Sequence, residues 1–166
     1  ESASFFPQIH EYRFGPEQYL SHIGAAKRAV DIPIIASLNG STPGGWTDYA
    51  KKIEAAGADA LELNIYSVPT ETELSGAELE DQHLSIITSV RGAVKIPVAV
   101  KISPYYSNIA NFAHRIGQTG VEGLVLFNRF LQPDIDLEAN TVEAKNYWSV
   151  PQDQRLPLRW LGLLQD

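Results

Sequence analysis

"AVDIPIIASLN" at residues 29–39 and "AVKIPVAVKIS" at residues 93–103 match almost position for position, 64 residues apart. A second pair keeps about the same interval: "AAGADALELN" at 55–64 resembles "QTGVEGLVLFN" at 118–128. Self-similarity at a fixed period marks a chain built by repeating one supersecondary unit. The repeating unit here holds two short apolar runs, each ending in polar residues.

All four runs are rich in Ile, Val and Leu and are apolar on both phases of the alternation, as expected of parallel strands covered on both faces. Amphipathic helical stretches lie between them. Residues 43–56 put Trp46, Tyr49, Ala50 and Ile53 on one face and end at Gly57, a C-cap position. Residues 78–91 do the same with Leu79, Ile86, Ile87 and Val90. Residues 107–117 run from Ser107, a candidate N-cap, through Ile109, Phe112, Ala113 and Ile116 towards Gly120. A first helix at 16–28 opens with Pro16 in the first turn. Strict strand and helix alternation gives a parallel sheet with right-handed crossovers. Repeated doublets favour an α/β (β/α)8 TIM barrel over a doubly wound sheet, because a barrel repeats one unit around an axis. Four strands make about half of such a barrel. The expected organisation is therefore one partial barrel domain over 1–166, with a polar excursion at 129–150 that forms a small hairpin or irregular loop, and a further helix in "PQDQRLPLRWLGLL".

The 166-residue chain is 44% hydrophobic, enough to bury a core. A net charge of -7 and the lack of a basic run argue against nucleic acid, whose phosphates require clustered Lys and Arg. No apolar run approaches the roughly 20 residues that cross a bilayer, so neither a membrane nor a secreted route is expected, and a cytoplasmic location is the default. The absence of Cys removes disulfides, thiolate metal sites and cysteine nucleophiles together. A start at Glu1, no Met, and an end inside an apolar helical pattern read as an excerpt of a longer chain.

Barrel enzymes place working residues at the carboxyl ends of strands. Those ends hold Ser37, Asn39 and Gly40 on the first strand, then Glu62, Asn64 and Ser67, then Lys101 and Ser103, and finally Asn128. A lysine inside "PVAVKIS" would be almost fully buried, which calls for a partner or an anionic ligand. It either pairs with Glu62 or reaches the rim as a structural cation, or it serves a ligand. Asn64 and Asn128 are either amides that close backbone hydrogen bonds or ligand contacts. Ser67 and Thr70 suit a turn, but their position just past Asn64 also suits a site. The four histidines show no metal-ligand spacing, and no metal is expected; those on helices fit surface or helix-packing positions. No P-loop, dinucleotide fingerprint or nucleophile elbow occurs.

At these residues the chain resembles the dihydroorotate dehydrogenase family of FMN-dependent barrels, from about Ile32 to Asn128. "GADALELN" with its Ser/Pro loop resembles the family's "ELN-x-S-(C/S)-P-N" segment, "VAVKISP" its "VKL-x-P" strand, and "LVLFNR" its Asn-bearing substrate strand. "ASLNG" is similar to another family strand end, and "GGWTDYAKKIEAAGADALELN" to the related flavin barrel of dihydropyrimidine dehydrogenase. The resemblance implies a flavoprotein oxidoreductase of pyrimidine metabolism with FMN as cofactor and a dihydroorotate-like or dihydropyrimidine ring as small-molecule substrate. It implies that Asn39, Asn64 and Lys101 contact FMN and that Asn128 binds substrate or flavin. It further implies that Ser67 removes a proton from the substrate while hydride passes to the flavin. Thr70 stands where the family carries a substrate-gripping Asn; Tyr66 and Val68 also depart from the pattern, Val68 by lengthening the loop. A homodimer is compatible with the likeness. Two other readings stay open: a partial-barrel binding module without redox chemistry, and a non-flavin isomerase or aldolase using the Lys101 amine.

Overall fold

A computed structural model describes residues 15–39, 43–65, 67–129, 134–143 and 149–165. The alternation is as expected: α1 (Pro16–Ala29), β1 (Ile35–Leu38), α2 (Pro43–Ala55), β2 (Ala60–Asn64), α3 (Gly76–Ala93), β3 (Val98–Ile102), α4 (Ile109–Gly117) and β4 (Gly123–Leu126). The four strands are parallel and lie in chain order, β1-β2-β3-β4. A doubly wound sheet would reverse its order at a switch point. A sheet that never reverses is the wall of a (β/α)8 barrel, here a partial one.

Burial shows which side the helices cover. Ala36 and Leu38, Leu61 and Leu63, and Val98, Val100 and Ile102 are buried, while the alternate positions of β1, β2 and β3 are exposed or half-buried. The helices supply the other half of the core: Ile53, Ile87, Val90, Phe112 and Ile116 are each fully buried. Among the described residues the helices cover one face of the sheet, as they do in a partial barrel. The second face carries Ile35, Ser37, Glu62, Asn64 and Lys101 and is the one turned to the barrel interior.

The sequence repeat reappears as repeated bonding. In the first doublet the Asp59 carboxylate accepts the Ile34 backbone N–H at 2.7 Å and the Lys27 ammonium at 2.6 Å. In the second, the Glu122 carboxylate accepts the Val98 N–H at 2.8 Å and an Arg91 N–H at 2.7 Å. Each acid thus ties the start of its own strand to the start of the preceding strand and to the last turn of the helix before that. The Lys27 hydrogen bond, aided by the Ile34 amide, holds Asp59 below its ordinary carboxyl value. The Val98 amide, aided by Arg91, does the same for Glu122. Between doublets, Glu54 of α2 accepts the backbone N–H groups of Lys95 and Ile96 at 2.7 and 3.1 Å.

Helix ends follow local chemistry. After α2, Gly57 adopts φ 95°, with its N–H on Glu54 at 3.0 Å and the Ala58 N–H on Ile53 at 3.4 Å, the paired bonds of a Schellman turn that needs a residue without Cβ penalty. After α4, Gly120 adopts φ 82° at the equivalent place. Ser75 caps α3 with a reciprocal Glu78 bond. The cap of α4 is Asn108, whose side chain accepts the Asn111 N–H at 3.0 Å, not the expected Ser107. Both are good cap residues, and their adjacency hid the choice. At the β1 edge the Tyr19 hydroxyl donates to the Ser37 carbonyl and accepts its N–H, both at 3.0 Å.

Beyond β4, β5 (Asp134–Asp136) and β6 (Thr141–Glu143) form an antiparallel pair. A 3-10 turn (Pro151–Gln154) then leads into α5 (Arg155–Leu163).

Candidate active site

Register decides which polar side chains meet. Ser37 pairs with Glu62 and Asn64 with Lys101 across neighbouring strands. Because period-2 alternation sends these four to the same face, they form two successive rungs on the interior side. Glu62 Oε1 accepts the Ser37 hydroxyl at 2.8 Å and the Lys101 ammonium at 3.4 Å. The expected Glu62–Lys101 pair is therefore present. Lys101 is less enclosed than expected, with its side chain 29% exposed, because the interior face is open among the described residues.

Asn64 sits one rung above Glu62. Its Oδ1 is shut off from solvent and accepts no hydrogen bond. Buried acceptors are almost always satisfied, so a lone one on the same rung as a lysine is a feature to be explained. Asn128 is buried just past β4; its backbone N–H bonds the Ile102 carbonyl at 2.8 Å, and its Nδ2 donates to the Ile65 carbonyl at 3.3 Å. It ties the mouth ends of β4 and β2 together. Asn39 lies exposed directly after β1, while Gly40 and Tyr66 fall outside the described residues.

Ser67 and Thr70 both lie exposed in the loop after β2. Ser67 Oγ lies 3.3 Å from His83 Nε2, and the other ring nitrogen, Nδ1, lies 3.0 Å from the Tyr106 hydroxyl. This His83 contact was missed by reading the helical histidines only as surface or packing residues. His83 is buried, 7% exposed, on α3. One signal was available: it falls four residues after Leu79 and four before Ile87, on the apolar stripe of its helix. Its Ser67 and Tyr106 partners lie on two other loops, which no periodicity connects.

Burial lowers the His83 imidazole from its ordinary value, favouring the neutral ring. Burial, and then the charge of Glu80, push the Tyr106 phenol upward. The Tyr106 ring packs on Phe112 with centroids 4.1 Å apart. A cavity of about 340 Å³ opens beside this cluster between the loops after β2 and β3, lined by Ser67, Pro69, Leu79, His83, Ser103 and Tyr106 among others. No group of three acidic or His side chains suited to a metal occurs among the described residues. None of their helices is long and apolar enough to cross a membrane.

In-order parallel strands, helices on one face and a Lys, Asn and Glu ladder on the other define a partial (β/α)8 barrel with its polar groups at the strand ends. Solved structures agree on the fold: dihydrodipicolinate synthase from Agrobacterium tumefaciens superposes with a TM-score of 0.55 at 22% identity, over 67% of this chain and 37% of that one. Phosphonopyruvate hydrolase gives 0.56 at 17% identity, over 74% and 46%. The sequence profile described as dihydroorotate dehydrogenase matches residues 13–148. The chain belongs to the dihydroorotate dehydrogenase family. It is 33% identical over 115 residues to the dihydroorotate dehydrogenase B (NAD(+)) catalytic subunit of Halalkalibacterium halodurans, covering 68% of this chain and 37% of that protein. It is 32% identical over 130 residues to the corresponding subunit of Methanocaldococcus jannaschii, covering 75% and 42%. Against dihydroorotate dehydrogenase A (fumarate) of Lacticaseibacillus paracasei it is 34% identical over 110 residues, covering 64% and 38%. The chain thus spans about two fifths, or slightly less, of these relatives.

Proposed function

We propose that the chain is part of a flavin-dependent oxidoreductase of the dihydroorotate dehydrogenase type, with FMN as cofactor and a dihydroorotate-like or dihydropyrimidine ring as substrate. One observation carries this reading: the solvent-shielded Asn64 Oδ1 has no donor and stands on the same rung as Lys101. The edge of an isoalloxazine ring offers an N–H between carbonyl oxygens, which complements an amide acceptor and an ammonium. When bound, the flavin supplies a two-electron acceptor for hydride.

The chain's own residues have separable roles. Asn64 would accept from the flavin edge, and Lys101 would set a positive charge against its carbonyl side while Glu62 holds the ammonium in place. Asn39 would line the flavin pocket from the end of β1. Asn128, fixed by its bond to the Ile65 carbonyl, and Thr70 would face the substrate, and Ser67 would take the substrate proton. The protein would act as a single partial barrel unit over 1–166 within the larger enzyme, with 129–150 as an excursion over the site; a cytoplasmic setting and a homodimer accord with the family.

Use of Lys101 as an amine nucleophile, or of the barrel as a non-catalytic module, gains nothing from the relatives, which are named as dihydroorotate dehydrogenases. The test is the absorption spectrum of the purified full-length protein: a flavin band that is lost or weakened in Lys101→Ala supports the reading, and a colourless full-length protein that takes up no added FMN rejects it.

A further inference from the structure

A serine hydroxyl at its ordinary acidity is a poor base, so the base assigned above needs somewhere to send its own proton. The geometry around Ser67 supplies a destination.

We propose that His83 is the proton acceptor for Ser67, so that Ser67 and His83 form a relay leading from the barrel mouth towards the helix layer, with Tyr106 bonded to the far ring nitrogen. The inference rests on the reading of Ser67 as the base. Nε2 of His83 lies 3.3 Å from Ser67 Oγ, and Nδ1 lies 3.0 Å from the Tyr106 hydroxyl. For Nε2 to accept, the ring proton sits on Nδ1 and is donated to the phenol oxygen. The phenol oxygen can accept from that tautomer, as the third member of a nucleophile and base arrangement does. The Tyr106 and His83 rings meet nearly edge-on, at 82° with centroids 6.0 Å apart, and Phe112 flanks both. The imidazole is thereby held between two aromatic neighbours, and with Ser67 and Tyr106 it lines the cavity.

The proton transfer balances simply. The Ser67 O–H bond breaks as an N–H bond forms at His83 Nε2, and the serine oxygen takes the proton from the substrate carbon. The electron pair of that C–H bond stays with the substrate, whose neighbouring carbon gives hydride to a flavin-class acceptor. His83 ends as imidazolium, and its charged surroundings are Glu80 on its own helix and Arg115 on α4, which pairs with Glu80 at 3.1 Å. His83 acts through Ser67 and is a positioning residue by this assignment.

The test needs no flavin. Diisopropyl fluorophosphate labels an activated serine: the Ser67 oxygen forms a bond to phosphorus, fluoride leaves, and the serine proton goes to His83. In the full-length protein near neutral pH, Ser67 should be labelled, as located by peptide mass spectrometry. His83→Gln should slow labelling about a hundredfold, the scale of general base assistance. Equal labelling rates in the two proteins, or no label on Ser67 in the wild type, would overturn the proposal. Should His83→Gln fail to fold, the wild-type pH profile decides. Labelling should rise with pH through the His83 titration followed by NMR, with its midpoint below 6.5, the ordinary imidazole value. A profile flat across that titration contradicts the relay. A labelled dyad in a protein that takes up no FMN would reject the flavin reading alone; a flavoprotein with unassisted Ser67 would reject the relay alone.

Discussion

Glu122 does for β3 what Asp59 does for β1: each carboxylate, at the foot of the next strand, holds a backbone N–H where the strand before it begins and a basic residue at the end of the preceding helix. The two sets, Lys27 with Ile34 and Arg91 with Val98, stand 64 residues apart like the apolar motifs themselves. The repeat is thus one of fastening as well as of hydrophobicity. Glu122→Ala should destabilise the fold by about 1–3 kcal/mol in urea denaturation, most of it from stranding the Val98 N–H, because an exposed ion pair adds little. Glu122→Gln, which keeps an acceptor, should lose less. Equal losses in both variants would show that the charge, not the amide bond, matters.

The same clamps set an acid limit. Asp59 and Glu122 are held below 3.8 and 4.5, their ordinary values, so the stability they give is complete above those values and is lost as pH falls through the lower folded ones. His83 adds to this earlier in the titration. As pH drops below 6.5 the unfolded chain takes up a proton that the buried ring resists, so stability declines there too. Chemical denaturation at a series of pH values should show a first decline below 6.5 that is absent in His83→Gln.

Gly57 and Gly120 both need positive φ. Substitution by Ala should cost about 1–2 kcal/mol at each position, from the left-handed backbone alone. Space is not the obstacle at Gly120, where an added Cβ would meet no atom within 4 Å. Thermal melts of the two variants should fall together; a loss at Gly57 only would point to packing against Lys27, 3.9 Å from the same position.

Asn64 offers a way to separate folding from ligand binding. Its Oδ1 has no partner to lose, so Asn64→Ala should leave the melting temperature of the flavin-free protein near that of the wild type. FMN affinity, followed by fluorescence quenching in the full-length protein, should fall about tenfold, as expected for one lost hydrogen bond. A large drop in melting temperature with unchanged FMN affinity would make Asn64 a structural amide.

Phe112 is fully buried beneath Tyr106. Phe112→Ala should cost about 3–5 kcal/mol by the usual cavity penalty, and Phe112→Leu clearly less. The informative readout is the His83 imidazole resonance, which should broaden or shift in both variants because the ring that backs Tyr106 has been removed.

Much of this was legible because β strands write their contacts into period 2. Ser37, Glu62, Asn64 and Lys101 alternate with buried Leu and Val, so their common face follows from counting, and the Glu62–Lys101 pair from placing neighbouring strands side by side. Exposure was not legible: a strand's sequence does not say how much of each face its neighbours cover, and Ile35 is 63% exposed among the described residues. His83 escaped for a different reason. Its partners are 16 and 23 residues distant, on loops whose paths no local pattern fixes. The α4 cap shows the finest limit, since Ser107 and Asn108 offer the same chemistry one residue apart.

Glu62 Oε1 serves two donors on two different strands, the Ser37 hydroxyl and the Lys101 ammonium. A carboxylate with a second anchor can let its cation go without being stranded. An anionic group arriving at Lys101 therefore competes with a tenant that already has another address, and β1, which is not paired with the lysine's strand, helps decide how readily that charge is released.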